Sequence, residues 1–537
     1  MGVPSPAVFA QQARFAPKWK VLISVIFGIF MVILDTTVVN VAFQTLRTEY
    51  GASLNDAQWI ISVYVLSLGI STPLAGFFSE RFGIKQTYLT GLGIFVVGSF
   101  LCGLSPSLPF LIAARALQGF GGGIALPLGI ALLLRTFPPS EQGLALGIFG
   151  IAILVAPAIG PMLGGVLVDA GLWRAIFFIN PPIGLLGIFL GSRFLPNIKS
   201  EHKPMLDVWG LITEIIGFGA VLYAASVAAN DGWTAPDVLL WFGIGTIGLA
   251  AFALVELFIA KEPLLDLRLF AKRIFLNASL LGYVSVIALF GAEFLMPIYL
   301  QSVRGISATE TGLILIPLAI TGAIATVVAG RLYDKLGPRP IVGFGFAVLV
   351  INTWQLSQLQ ANTPIGWIIF LLALRGLALG ATVQTTLVTA LSVVPLKQVA
   401  GGSSLINATR QVVQAIGVAV LATVLASTLS PQVANLEQQF LDMPQQVGAP
   451  RFGLCDAPSS AAINTNSAAV STAMQLPSDT MKLIGQACEE SVAGFEQAYK
   501  VTFFASIAAL ALGLMLPGWP RQWAGRRAAD APTPIAH

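Results

Sequence analysis

The sequence predicts an all-α polytopic membrane protein of two six-helix halves, with two further helices inserted between them. Three observations carry this. First, 56% of the 537 residues are hydrophobic and only 10% charged, with mean hydropathy +0.82, so one soluble core could not hide the apolar surface. Second, apolar runs of about 20 residues, the length that crosses about 30 Å of hydrocarbon, recur along the chain. Third, charged residues inside those runs repeat in one order in both halves.

In the first half the runs lie near 19–41, 58–79, 86–104, 109–134, 141–168 and 174–193. Two inserted runs follow near 208–228 and 238–260. The second half has runs near 275–302, 309–331, 340–358, 365–391, 400–428 and 498–520. The first run is long enough to span and no small-residue cleavage site follows it, so it reads as a retained helix. With the N-terminus inside, 20 of the 29 Lys and Arg fall in inner segments and 6 in outer ones. That asymmetry predicts a multi-pass protein with both termini cytoplasmic. The resulting organisation is a tail at 1–18, a first half at 19–193, inserted helices with linkers at 194–274, and five helices of the second half at 275–429. An extracytoplasmic loop at 430–497, a last helix at 498–520 and a tail at 521–537 complete it.

The repeat is explicit. Asp35 in the first run precedes Gly76, Glu80, Arg81 and Gly83 at the end of the second, and Arg115 in the fourth. Glu293 in the ninth run precedes Gly330, Asp334 and Gly337 at the end of the tenth, and Arg375 in the twelfth. Such repeats are pointers to transporter architecture. An intramembrane charge is costly and is kept with a partner or beside a water-filled cavity. At 1.5 Å per residue Asp35 and Arg115 lie at similar depths from the outer ends of their runs, and so reach one level. A carboxylate beside a guanidinium can hold or release a proton as water access changes. The sequence offers two readings, a proton-coupling pair and an ion pair that only fixes packing. Glu293 reaches the same level and offers a site for a proton or a cationic substrate.

Other candidates fall around these. Arg375 and Arg410 lie deep in their runs, and Asn40, Gln118, Gln301, Asn407 and Gln414 are polar within or near runs. Phe149, Phe290, Phe294 and Tyr299, with Trp59, Tyr64 and Phe120, could line a cavity for flat lipophilic ligands. Gly160, Pro161, Gly164 and Gly165 mark a closely packed, proline-bent helix. Glu214 and Glu256 lie within about 9 Å of the inner surface, close enough to snorkel to water. The outer loop carries seven acids against Arg451 and Lys482. Val433, Leu436 and Phe440, then Met481, Leu483 and Ile484, allow short amphipathic helices there. Cys455 and Cys488 also lie in it, in a compartment that permits disulfides; a bridge and two free thiols are both open.

Two histidines, three scattered cysteines and no phosphate-binding loop predict no catalytic or metal site, no cofactor and no nucleic-acid partner.

The motifs together resemble the major facilitator superfamily and, within it, the fourteen-span drug:proton antiporter family. Leu34 to Ala42 resembles that family's first-span motif, whose Asp is implicated in proton coupling. Arg115 to Gly119 resembles its fourth-span motif, whose Arg is also tied to proton transfer. Gly160-Pro161 with Gly164-Gly165 resembles its antiporter motif. Trp173 to Asn180, Asp207 to Gly210 and Pro263 to Leu267 look like family-typical junctions. Glu80 stands where the family usually has Asp, Ile84 where it has a basic residue, and Ala156 where Gly is frequent.

The resemblance implies a proton-driven exporter of lipophilic, cationic compounds in a bacterial cytoplasmic (inner) membrane. Its partners would be protons, a small lipophilic substrate and the bilayer, and in Gram-negative members a periplasmic adaptor protein and an outer-membrane channel. Export of one endogenous metabolite or lipid, or a receptor or scaffold role for the outer loop, are the rival expectations.

Overall fold

The computed structural model describes residues 18–196, 204–306, 308–430 and 478–518, together with Val433 and Cys455. Fourteen helices of 15 residues or more are found among them. The first six are α1 (Lys18–Glu49), α2 (Leu54–Phe82), α3 (Ile84–Gly103), α4 (Leu108–Thr136), α5 (Gln142–Asp169) and α6 (Asn180–Phe194). Next come α7 (Val208–Asp231) and α8 (Pro236–Leu254). The last six are α9 (Arg273–Ile298), α10 (Ala308–Leu336), α11 (Pro338–Leu356), α12 (Ile365–Leu391), α13 (Val399–Ser427) and α14 (Ser478–Gly513). Among the described residues there is no strand. Eleven segments of the described residues are long and apolar enough to cross a membrane. The ends bearing the α2–α3 and α4–α5 connections are called inner below, following the charge asymmetry.

The neighbours of each helix recur with an offset of eight. α2 and α3 pack on α4 as α10 and α11 pack on α12. α1 packs on α5 and α6 as α9 packs on α13 and α14, and α3 packs on α6 as α11 packs on α14. The contacts between the two groups obey the same relation, since α5 meets α10 and α2 meets α13. α7 and α8 pack on each other, and α7 leans on α2 and α13 at the side of this seam. Their own packing is close because Gly217 and Gly248 meet backbone to backbone; a Cβ on Gly248 would lie 2.8 Å from the Gly217 Cα.

Glycine sets the inner end of the seam. A Cβ on Gly143 of α5 would stand 2.5 Å from the carbonyl oxygen of Gly330 on α10, and one on Gly330 would press even harder on the Gly143 carbonyl. In the related position a Cβ on Gly76 of α2 would lie 3.2 Å from the Gly401 Cα of α13. Asp334 closes the α5–α10 contact by capping α5: Oδ1 accepts from Gly143 N–H at 3.0 Å and Oδ2 from Leu144 N–H at 3.1 Å. A carboxylate at a helix N-terminus satisfies orphan donors and complements the dipole. Gly83 and Gly337, which end the two loop motifs, have φ of 94° and 80°, a conformation that penalises any Cβ. Gly160 serves α1 in the same way, its missing Cβ leaving room for Thr37, whose own Cβ would be 2.8 Å away.

Three expectations change. α14 starts at Ser478, well before the span drawn at 498–520, and Leu483 belongs to that one helix instead of a separate amphipathic piece. Leu436 and Phe440 lie outside the described residues. Glu214 and Glu256 do not snorkel, being 0% and 1% exposed. The two open readings of the outer cysteines resolve into a disulfide, Cys455–Cys488. Cys455 N–H also donates to the Val303 carbonyl at 3.1 Å, which ties the loop to the outer end of α9. Breaking a bridge that closes a loop of this length is expected to cost about 3 kcal/mol. Maleimide labelling should therefore find no reactive thiol in the native protein, since Cys102 is buried, and two after mild reduction, with a lower thermal midpoint.

Candidate functional site

Asp35 sits at the centre of a sealed polar cluster built from α1, α2, α3, α4 and α6. It is 1% exposed, as are Arg115 and Asn180, and Gln118 is fully buried. Arg115 Nη1 donates to Asp35 Oδ2 at 2.5 Å, while Gln118 Nε2 and Asn180 Nδ2 donate to Oδ1 at 2.8 and 2.7 Å. Each partner is held in turn. Arg115 Nε donates to the Ile60 carbonyl at 3.1 Å, and its Nη1 also reaches Gln118 Oε1 at 2.8 Å. The guanidinium carbon lies 4.0 Å from the centre of the Tyr64 ring, a favourable arrangement in a dry site. Asn180 Nδ2 also donates to Ser99 Oγ at 3.0 Å, and Ser99 Oγ donates to the Phe177 carbonyl at 2.9 Å.

Local sequence explains the fit. A Cβ on Gly98 would lie 2.7 Å from Gln118 N, and one on Gly119 would overlap the Tyr64 carbonyl, so only glycine lets α3 and α2 approach α4 this closely. The chain breaks between a one-turn helix, Ala175–Phe178, and α6, which Asn180 opens with prolines in its first turn. Proline is accommodated there because the first helical N–H groups have no intrahelical partner. The break turns Asn180 inward at the level of Asp35.

All three contacts donate to the carboxylate, which only accepts when ionised. Three of its four lone-pair sites are taken, so a proton enters at Oδ2 beside the Arg115 guanidinium and cancels the charge that holds that partner. That couples protonation to the spacing of α1 from α4.

The second half places its arginine differently. Arg375 is fully buried on α12. Nη2 donates to the Ala288 carbonyl at 2.5 Å and Nη1 to Asn352 Oδ1 at 3.3 Å, Nε has no partner, and the Tyr499 ring centre lies 6.0 Å away. Asn352 is positioned by donating to the Leu371 carbonyl at 2.7 Å. Glu293, Phe290 and Phe294 fall on α9, and their side chains lie outside the described residues.

The remaining candidates are dispersed. Phe149 is fully buried on α5, and Tyr299 is fully buried, donating to the Gln360 carbonyl at 2.7 Å and packing against Phe495. Asn407, Arg410 and Gln414 are half-buried and recur at helical spacing on one face of α13. Gln301 is half-buried and Asn40 exposed. Gln118 joins the Asp35 cluster. Ser99 and Asn352 were not singled out by sequence, and Asn180 only as the end of the Trp173–Asn180 junction, not as a site residue; an Asn directly before Pro-Pro within an apolar run was the available signal for that role.

Asn180→Ala should remove one of two donors to Asp35 Oδ1. A bond to a charged group contributes about 1.5–3 kcal/mol, so a thermal midpoint several degrees lower is expected. Ser99→Ala should be milder, because Asn180 keeps its bond to Asp35.

The chain is similar to known proteins over most of its length. The family model described as Major Facilitator Superfamily matches residues 25–418. The MFS-type transporter YhcA of Bacillus subtilis is 35% identical over 405 residues, 75% of this chain and 76% of that one. A tetracenomycin C resistance and export protein of Streptomyces glaucescens is 32% identical over 446 residues, 80% and 82% of the two chains. Among solved structures, the human organic anion transporter MFSD10 shares the fold with TM-score 0.54 and 14% identity, covering 91% of this chain and 99% of its own. Repeated helix packing, a buried acid–arginine cluster and a family match across residues 25–418 lead to one assignment: this chain belongs to the Major Facilitator Superfamily, and is a membrane transporter, not an enzyme.

Proposed function

We propose that this transporter is a proton-coupled exporter of lipophilic cationic compounds, with fourteen helices crossing a bacterial cytoplasmic membrane and both termini inside. The observation that carries this reading is the Asp35 carboxylate held by three donors from two neighbouring helices. A proton entering from outside neutralises Asp35, frees it from part of its shell and lets α1 shift. α1 is keyed to α5 at Gly160, and α5 to α10 at Gly143, Gly330 and Asp334. The shift thereby reaches the seam between halves, where rocking would expose the substrate site alternately to each side. Glu293 is assigned the second site, for a proton or the substrate cation. The proton gradient supplies the energy, and no cofactor takes part.

The printed name of the Streptomyces relative, resistance and export, supports outward movement of a small organic molecule. In a Gram-negative envelope the acidic outer loop would be the surface offered to a periplasmic adaptor protein and outer-membrane channel.

Purified protein in liposomes, loaded with a fluorescent lipophilic cation and given an imposed pH gradient, tests the reading. Dye movement opposite to proton flow, abolished by a protonophore, is expected. A panel in which one ligand competes tightly and all others are inert would assign a dedicated exporter instead. Movement of neither dye nor protons would remove transport by this mechanism.

A further inference from the structure

The Asp207–Gly210 and Pro263–Leu267 junctions, which the transport reading leaves unused, converge on one buried carboxylate. Glu256 lies in the π-helical turn Val255–Ile259 that continues α8. Its Oε1 and Oε2 accept from the N–H groups of Leu264 at 3.2 Å and Leu265 at 3.3 Å. On its other side a Cβ on Gly210 would stand 2.8 Å from Glu256 Oε1 and closer still to Asp207 Oδ2. Bare glycine therefore leaves the space that two carboxylates share. Asp207 caps α7 by accepting from Gly210 N–H at 2.9 Å through Oδ1, and its Oδ2 is buried without a partner. One helical turn beyond Gly210, Glu214 is fully buried, and neither of its oxygens has a hydrogen-bond partner. Glu256 is the ionisable group it interacts with.

The nearby basic side chain of Arg268 is held by backbone, its Nη2 donating to the Leu257 carbonyl next to Glu256 at 3.0 Å. Asp266 accepts from Arg268 N–H, Glu262 accepts from Met205 N–H, and Arg81 of α2 donates to the Pro204 carbonyl. Asp207, Glu262, Asp266 and Arg268 line an inner-face cleft of about 310 Å³ together with Glu80. α13, also packed on α7, carries Arg410 as its sole charged side chain, and that residue interacts with Tyr283 of α9. Among the described residues no Lys or Arg makes an ion pair with Asp207, Glu214 or Glu256. No group of three His, Cys, Asp or Glu there is arranged to hold a metal ion.

An ionised carboxylate buried with neither partner nor water is strongly disfavoured, and such a group takes up a proton instead. Glu256, with two N–H donors, is suited to the charge, whereas Glu214 has nothing to accept from. We propose that Asp207, Glu214 and Glu256 form a proton-binding carboxyl cluster, separate from Asp35, in which Glu214, the member without a hydrogen-bond partner, holds a proton. The cluster fastens the inserted helix pair to both of its linkers beside an acidic inner cleft, which gives the proton its exchange route. This places a proton site outside the seam between halves, and it does not depend on coupled export.

Infrared difference spectroscopy of the purified full-length protein, in ordinary and heavy water at neutral pH, reads this directly. The carbonyl stretch of a protonated carboxylic acid is expected in wild type and in Asp35→Asn. It should shift in heavy water, be unaffected by sodium or potassium, and lose intensity in Glu214→Gln but not in Glu293→Gln. Should Glu214→Gln fail to fold, Glu256→Gln and Gly210→Ala must shift the band in frequency, because both alter the group beside the proton. A band absent from wild type, unmoved by all three substitutions, or removed by an alkali cation would overturn the proposal, the last in favour of a cation site.

Discussion

Replacing Asp35 by Asn is expected to abolish proton-driven transport, and adding Arg115→Gln is expected to restore stability without restoring coupling. The single change leaves the Arg115 guanidinium, 1% exposed, without its anion. Breaking a buried pair from one side costs about 3–5 kcal/mol, whereas neutralising both partners is often close to neutral. Stability should therefore fall in Asp35→Asn and recover in the double variant, where Gln118 and Asn180 still have an amide oxygen to bond. Transport separates the two readings of the pair. If Asp35 and Arg115 only fix packing, the double variant regains proton-driven flux along with its thermal midpoint. If Asp35 carries the proton, the double variant is stable, binds substrate and exchanges it down its own gradient, yet stays uncoupled. Flux assays on the two variants beside thermal unfolding decide between them.

The parts of this molecule legible in the sequence are those where physics makes a residue expensive. Asp35 and Arg115 stand out because a charge within an apolar run needs a reason, and they meet in the fold at 2.5 Å. Gly83 and Gly337 stand out because punctuation glycines mark backbone turns, and both adopt positive φ. Asn180 was hidden because an uncharged amide near a helix start has many ordinary roles, and only a break in the chain aims it at Asp35. Depth misled at Glu214 and Glu256. Distance from a run's end suggested that both heads reach water, but the linker folds back so that Leu264 and Leu265 donate to Glu256, and both carboxyls end up buried. The start of α14 was missed because its first turns are too polar for a span; they join one continuous helix, tethered by the disulfide at Cys488.

Gly330→Val should lock the inner end of the seam open, with a larger loss of turnover than Gly76→Ala in the α2–α13 contact. A side chain at 330 would collide with the Gly143 carbonyl, and one at 143 with the Gly330 carbonyl. Both obstacles are backbone, so neither can rotate aside, and forced overpacking costs about 1–3 kcal/mol. Loaded onto one of two conformational states, that cost shifts their ratio by about five- to 150-fold. The related Gly76 is less tight, its Cβ position lying 3.2 Å from the Gly401 Cα, so Gly76→Ala should cost less, the two helices having to part by only a few tenths of an ångström. Asp334→Ala removes the cap on Gly143 and Leu144 without adding bulk. It should loosen the same closure by a smaller amount, because helix caps contribute about 1 kcal/mol. Spin labels on the inner ends of α5 and α10 would report a longer separation for Gly330→Val, a mixed distribution for Asp334→Ala and the wild-type distance for Gly76→Ala. Equal turnover in all three would mean that the α5–α10 contact never has to open and close, and that rocking occurs about another seam.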